Sequence, residues 1–319
     1  MAEEPAPAAD ERWCTFLRCP LFIVTTSSSA TGETGQSILK GLVESNAFNV
    51  EALVRPASST KPEVEGLRSA GIAIRLADTA GAHADLVKAL KGVDIFVSAI
   101  GPNDQLEQLR LVDAVKEAGV KRFIPCGQRH EAKDQKEEVY NYIKKLRVPY
   151  TVRRCLMVAT NEVIAGGDAP NILTDLRDIG VLVAKIIQDE RTLNKYVYTC
   201  GEVLSQKEII EIVKDMTGEK VEQTTATEEQ ILRRLEDARA AFKADPGKPM
   251  NSSMVYMHED LYSKYFRADN SPAYAKYLGY LDTRDFYPDT KTRTYRDCFA
   301  DVLDGKVQKV YAKSTQKYD

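Results

Sequence analysis

A doubly wound parallel α/β sheet is the fold class that the sequence predicts, on three observations. From Ile23 to Pro125, short β-branched or apolar runs alternate with runs of helical period. The connections between them are a few residues long, which calls for right-handed crossovers. One run, Val93 to Ile100, is apolar nearly throughout, as suits a strand covered by helices on both faces.

The first strand, Ile23 to Thr26, feeds Ser29-Ala30-Thr31-Gly32-Glu33-Thr34-Gly35 and then a periodic helix from Ser37 to Glu44. A strand, a glycine-bearing turn and a helix are the setting of a dinucleotide fingerprint. Amide N–H groups at a helix N-terminus, with the positive end of its dipole, attract a pyrophosphate. Gly32 lets the phosphate approach the backbone, and Gly35 lets helix and strand pack closely. Thr31 and Thr34 belong to the same candidate turn. Ser29 stands where the first glycine is wanted, and a side chain there costs strain if φ is positive. A polar βα loop would use similar residues, so the turn alone leaves both readings open.

The second strand, Val50 to Val54, ends at Arg55 in LVRPASSTK. An acid at this point suits NAD, whereas a guanidinium forks onto a phosphate. Arg55, helped by Ser58, Ser59 or Lys61, therefore points to a 2′-phosphate and NADP(H). A solvated arginine at a strand end is the alternative.

A helix from Glu63 to Ala70, a strand from Ile72 to Leu76 and a short helix from Ala84 to Leu90 follow. After the fourth strand, a helix from Gln105 to Ala118 closes on Gly119, and Lys121 to Pro125 is the fifth strand. Ligands of such sheets sit beyond the carboxyl ends of the strands, so Ile100, Gly101 and Cys126 should flank a nicotinamide. Cys126 has no histidine at a fixed spacing and reads as a wall residue rather than a nucleophile.

The next helix, Asp134 to Arg147, carries an apolar stripe of Val139, Tyr142, Ile143 and Leu146. Lys136 lies about 70° from the centre of that stripe, Tyr140 about 110° and Lys144 about 150°. Lys136 thus falls at the border of core and cleft, where an ammonium can be partly desolvated for proton transfer. Tyr140 and Lys144 also form a Y-x-x-x-K pair, a spacing that fifteen tyrosines make easy to reach by chance. Lys136 and Tyr140 are the catalytic candidates, against the alternative of a solvated lysine on an ordinary helix.

Further on, Thr174 to Glu190 reads as a helix capped by Thr174, and Tyr196 to Thr199 as a strand. Ser205 to Glu208 is a capping box opening a helix that Gly218 closes, and Thr227 to Gln230 opens another, running to about Phe242. Asp245 to Pro249 is a breaker before helices rich in Met and Tyr, either an aromatic wall for a flat substrate or ordinary core.

Composition removes several classes. The chain has 319 residues and a net charge of −3, with no basic field for nucleic acid or an anionic membrane surface. Six cysteines are scattered and three histidines dispersed, so neither a disulfide framework nor a metal site is expected, and a cytoplasmic setting is. No apolar run reaches membrane-spanning length. Residues 1–18, with an opening rich in Ala, Pro and acid, are expected to form an unstructured tail; 19–155 a dinucleotide-binding domain; and 156–319 a smaller, mostly helical substrate lobe interleaved with the end of the sheet.

The blocks TGETGQSILKGLVES, ALVRP, LKGVDIFVSAIG, LRLVDAVKEAGVKRFIPC, DQKEEVYNYIKKLRVPYT, LTDLRDIGVLVAKII and RTLNKYVYTCGEVLSQKEII occur in this order. They resemble the NmrA-like, isoflavone-reductase-like branch of the atypical short-chain dehydrogenases, from about Leu21 to about Tyr311. The resemblance implies a Rossmann-type domain, NADPH as cofactor, a glycine turn on Ser29, Gly32 and Gly35, a phosphate-binding arginine on Arg55 and a catalytic lysine on Lys136. Against the family pattern, the loop Gly127 to Lys133 is short, as is the segment from Arg153 to Asp168, and both departures would either open the pocket to bulky substrates or impair reduction. The implied activity is reduction of a small aromatic or polycyclic metabolite in secondary metabolism. A non-catalytic dinucleotide sensor with a protein partner, or a redox-neutral biosynthetic enzyme such as a cyclase, are the rival expectations. A homodimer is a further possibility the resemblance leaves open.

Overall fold

The computed structural model describes residues 19–25, 33–100, 106–125, 132–148, 151–154, 162–220 and 222–306, the side chains of 19–25, 33–34, 132–137, 151–154 and 249 apart. Five strands pair in parallel: β1 (Cys19–Thr25), β2 (Phe48–Val54), β3 (Ala73–Leu76), β4 (Ile95–Ser98) and β5 (Arg122–Ile124). Their spatial order is β3-β2-β1-β4-β5, so the winding direction reverses between β1 and β4. The crossovers are α1 (Glu33–Glu44), α2 (Pro62–Ser69), α3 (His83–Leu90), α4 (Glu107–Ala118) and α5 (Ala132–Leu146). Gly119 closes α4 at φ 75°, a conformation a side chain resists.

The chain beyond α5 adds a three-stranded sheet alongside the first. β6 (Thr151–Arg154) lies beside β5. β7 (Glu162–Ile164), β8 (Asn171–Leu173), α6 (Leu176–Gln188), β9 (Lys195–Tyr198), β10 (Glu202–Leu204), α7 (Gln206–Thr217) and β11 (Thr224–Ala226) follow. The rest is α8 (Glu228–Ala244), α9 (Pro249–Leu261), a π-helical turn at Tyr262–Phe266, α10 (Pro272–Tyr277), β12 (Leu281–Asp282), α11 (Thr283–Phe286) and α12 (Tyr295–Leu303). β9 pairs in parallel with both β6 and β12, while β7 pairs with β11 and β8 with β10 away from the main sheet.

Both predicted capping boxes are present, Ser205 with Glu208 and Thr227 with Gln230. The cap of α6 is Asp175 and not Thr174. The Asp175 carboxylate accepts the Arg177 amide at 2.7 Å, and an anion at a helix N-terminus outcompetes a hydroxyl. Thr174 instead donates its hydroxyl to Thr199 O at 3.0 Å, tying the segment to the end of β9.

Two large apolar clusters fill the faces of the sheet. One joins α3, α4 and α5 to Phe96 and Phe123; the other joins α1 and α6 to Val54, Ile95 and Val97. On the second face α1 and α6 cross with no side chain between them. A Cβ on Gly41 would lie 2.2 Å from Gly180 C, and one on Gly180 would lie 2.0 Å from Ser37 O. Ser37 closes the crossing, its hydroxyl donating to Leu176 O and accepting Gly180 N. Gly180→Ala is therefore expected to cost about 3 kcal/mol or more in urea unfolding. Gly66→Ala, inside α2 with nothing within 4 Å of the new methyl, should instead gain about 0.5–1 kcal/mol.

The amino end of α6 is also an electrostatic joint. Asp175 pairs with Arg177 at 2.7 Å and accepts the Cys298 thiol at 2.8 Å, while Arg177 reaches Asp301 of α12 at 2.6 Å. Burial alone would raise the Asp175 carboxyl, but the Arg177 guanidinium, the Cys298 thiol and the Arg177 amide outweigh it and hold the group at about 2. The unfolded carboxyl titrates near 4, so this stabilisation is complete above about pH 4 and is lost as the pH falls towards 2. Asp175→Asn should lower stability by about 2 kcal/mol at neutral pH, the gap to the parent closing in urea titrations taken from about pH 4 to pH 2.

Candidate functional site

Parallel pairing brings the carboxyl ends of the strands abreast. Thr25 of β1 lies opposite Val54 of β2, Val54 opposite Leu76 of β3, and Val24 opposite Ser98 of β4. α1 starts at Glu33, close behind the end of β1, so its free amides open at this edge. Among the predicted turn residues, Ser29, Thr31 and Gly32 lie outside the described residues, as do Gly101 and Cys126. Thr34 is the second residue of α1, and Gly35, the third, is buried.

Arg55 follows β2 directly, in extended backbone at φ −65° and ψ 139°, and is half-buried. It caps a one-turn 3₁₀ helix, Pro56–Ser58, and the turn is closed by Ser58 N donating to Arg55 O at 2.8 Å. The Ser59 hydroxyl donates to Pro56 O at 2.7 Å, and Arg68 of α2 donates to Ser59 O at 3.0 Å. Lys61, exposed, begins α2. Neither the Arg55 guanidinium nor the Lys61 ammonium has a carboxylate partner among the described residues. Two unneutralised cations on one short, fastened turn make an anion site.

Ile100, two residues beyond β4, is 2% exposed and packs in the apolar cluster under α3, α4 and α5. Ser98, the last residue of β4, has its hydroxyl buried with no hydrogen-bond partner among the described residues, a polar atom left over at the same edge. That orphan and the free cations fit a phosphate-bearing, hydrogen-bonding cofactor. Among the described residues no group of three or more His, Cys, Asp and Glu could hold a metal, and no helix is long and apolar enough to cross a membrane.

α5 starts near the carboxyl edge, following β5, and carries Lys136 in its opening turns, although its side chain lies outside the described residues. Tyr140, one turn on, is 5% exposed and meets Tyr196 of β9 edge-on, with centroids 5.8 Å apart. Tyr196 stacks on Tyr280 at 5.0 Å, and Lys144 Nζ sits 5.3 Å from the Tyr196 ring centroid. The helix-face expectation therefore needs correcting at Tyr140, which is core because β9 covers a second side of α5 that the local period does not reveal, while Lys144 is exposed, as its place on the helix face implies. Tyr142 stands on the predicted stripe and donates to Asp113 Oδ1 at 2.6 Å, a bond that pushes its phenol upward.

Sequence reasoning missed three polar features. Thr79, buried after β3, donates to Glu107 at 2.7 Å, a contact between segments with no periodic signal. Arg122, buried at the start of β5, serves the end of α6 through Ile187 O and the Thr192 hydroxyl. Its guanidinium is lowered to about 10 by burial, against which Tyr287 and Asp189 act only partly. Asp260 and Lys264, both nearly inaccessible, pair at 2.6 Å across the π turn; their i, i+4 spacing was the one legible sign.

A sequence model of the NmrA-like family matches residues 26–165 and 160–277. The chain is 33% identical over 307 residues to asnovolin J 5′,6′-dehydrogenase of Aspergillus novofumigatus, the match covering 86% of this chain and 94% of the other. It is 25% identical over 304 residues to an isoflavone reductase-like protein of Olea europaea, covering 84% and 94%. Among solved structures, the complex of leucoanthocyanidin reductase with NADPH from Vitis vinifera shares the fold with a TM-score of 0.75 at 21% identity, over 89% of this chain and 99% of that one.

Proposed function

The chain belongs to the NmrA-like family, and from that premise we propose that it is an NADPH-dependent oxidoreductase acting on a small aromatic or polycyclic metabolite. The observation that carries this reading is the end of β2, where Arg55 and Lys61 stand without carboxylate partners among the described residues, beside the strand ends at which such sheets bind dinucleotides. The relatives support it by name: a dehydrogenase, an isoflavone reductase-like protein and an NADPH-complexed reductase.

In this reading the amides opening α1, with Gly32 and Gly35, hold the pyrophosphate; Arg55 and Lys61 hold the 2′-phosphate; Ile100 backs the ring end of the cofactor. NADPH supplies a hydride when bound. Lys136, near the start of α5, handles the matching proton at the substrate atom, directly or through a water. Tyr140, one turn further along and packed on Tyr196, supports the helix that presents Lys136. The Met- and Tyr-rich segments after α8 supply the wall for a flat ligand.

Calorimetric titration of Arg55→Ala should show NADPH binding about 10- to 100-fold weaker, the loss of a charge-assisted contact, with NADH affinity changed less than about threefold. Equal losses for the two coenzymes would remove the 2′-phosphate role. Lys136→Ala should lower kcat at least about 100-fold while leaving NADPH affinity intact, and undiminished turnover of an aryl substrate panel would strike out the lysine.

A further inference from the structure

Resting on the dinucleotide reading of the cleft, we propose that Thr79, Glu107 and Arg110 are positioning residues for the adenosine half of the coenzyme. They clamp the loop after β3 against the opening turns of α4 and so fix one wall for the base.

The strand register puts that loop beside the anion site. Val54 lies opposite Leu76, and Ala77 N donates to Val54 O at 3.2 Å, so residues 77 and 78 follow alongside Arg55. A nucleotide's base is attached to the ribose carbon next to the one bearing the 2′-phosphate. With that phosphate at Arg55 and the 5′ side running over β1 to α1, the base is left the space between the ends of β3 and β4. The residues bordering this space are Asp78 to Gly81 on one side, and Ile100 and the start of α4 on the other.

The loop is tightened within itself and then fastened outward. Asp78 Oδ1 accepts Ala80 N at 3.0 Å, and Gly81 N donates to Asp78 O at 3.0 Å. Two bonds cross to α4. Thr79, 1% exposed, donates its hydroxyl to Glu107 Oε2 at 2.7 Å, and Arg110 donates to Gly81 O. Glu107 stands in the first turn of α4, beside the positive end of the helix dipole. A hydroxyl–carboxylate bond at a part-buried position is stronger than its fully exposed counterpart. Without it the loop would have to be ordered by the ligand, and that cost would appear as lost affinity. The clamp touches neither the 2′-phosphate nor the nicotinamide side. Its removal must therefore weaken NADPH and NADH by the same factor, unlike the loss of Arg55.

The test is calorimetric titration of the 319-residue chain with NADPH, NADH and 2′-phospho-ADP-ribose, which lacks the nicotinamide. Thr79→Val should raise all three Kd values about tenfold, and Thr79→Ser, which keeps the hydroxyl, should restore them. Arg110→Ala, at an exposed position that leaves the core intact, should raise all three about threefold and decides the matter if Thr79→Val does not fold. Unchanged Kd values in these variants, a loss confined to NADPH, or a Thr79→Ser variant as weak as Thr79→Val would each overturn the clamp. A parent protein that binds none of the three ligands would sink the dinucleotide reading and the clamp together, whereas normal parent binding with unaffected variants would sink the clamp alone.

Discussion

The contact between α1 and α6 at Gly41 and Gly180 is the constraint from which the rest of the arrangement follows. Two helix backbones meet there at a separation that excludes even a methyl group. α1 is the helix whose amino end follows β1 at the carboxyl edge of the sheet, so holding its axis fixes where that end sits. A wide interface of side chains could slide by rotamer changes; a backbone-to-backbone crossing closed by Ser37 cannot. α6 comes from the second half of the chain, and its amino end is bound by Asp175, Arg177 and Asp301 to α12. The crossing thus ties α1 to elements more than a hundred residues away in sequence.

Charge placement separates the roles of the arginines. Arg75 and Arg234 are paired with Glu51 and Glu162, and Arg177 with Asp301, each pair fastening two segments together, while Arg284 pairs with Asp282 two residues away. Among the described residues Arg55 has no such partner, although its backbone is held by the 3₁₀ turn that follows it. A guanidinium kept in position but not neutralised serves a ligand better than it serves the fold, since an unpaired charge contributes little to stability. Among the described hydroxyls, Thr174 and Thr192 are bonded within the protein, while the buried hydroxyls of Ser98, at the end of β4, and Thr290, after α11, have no partner among the described residues.

The sheet and its crossover helices were legible because each element has a period and a marked end. β2, α1, α3 and α4 fall within a few residues of their predicted bounds, and Gly119, Ser205 and Thr227 mark their helix ends as their chemistry requires. β7, β8, β10 and β11 have three residues each, too few for alternation to register, and they pair with strands far away in sequence. The second buried side of α5 was hidden for a related reason: Tyr140 is covered by Tyr196, and only the tertiary fold brings them together. At the site, Arg55 and Ile100 could be placed from strand ends alone. The Thr79–Glu107 contact could not, because no local pattern joins a loop after one strand to the helix after the next.

The lobe beyond α6 rests on a different balance from the sheet. Among the described residues its apolar clusters are small, built around Ile231 and Tyr265, around Tyr198 and Cys200, and around Leu235 and Val255. Between them run ion pairs: Arg234 with Glu162, Arg239 with Glu259, and the nearly dry pair of Asp260 and Lys264. Small clusters hold their elements with less energy per residue than one continuous core, and exposed pairs add little. The buried pair acts the other way, since removing either partner would leave an uncompensated charge. It sits on the π turn, so that irregular stretch is the segment of the lobe least free to rearrange. In the proposed reading, a rigid sheet edge serves a constant cofactor and a loosely built wall around one fixed turn serves a variable ligand. A change of substrate among relatives is then expected to alter the lobe's small clusters and to leave the crossing of α1 and α6 alone.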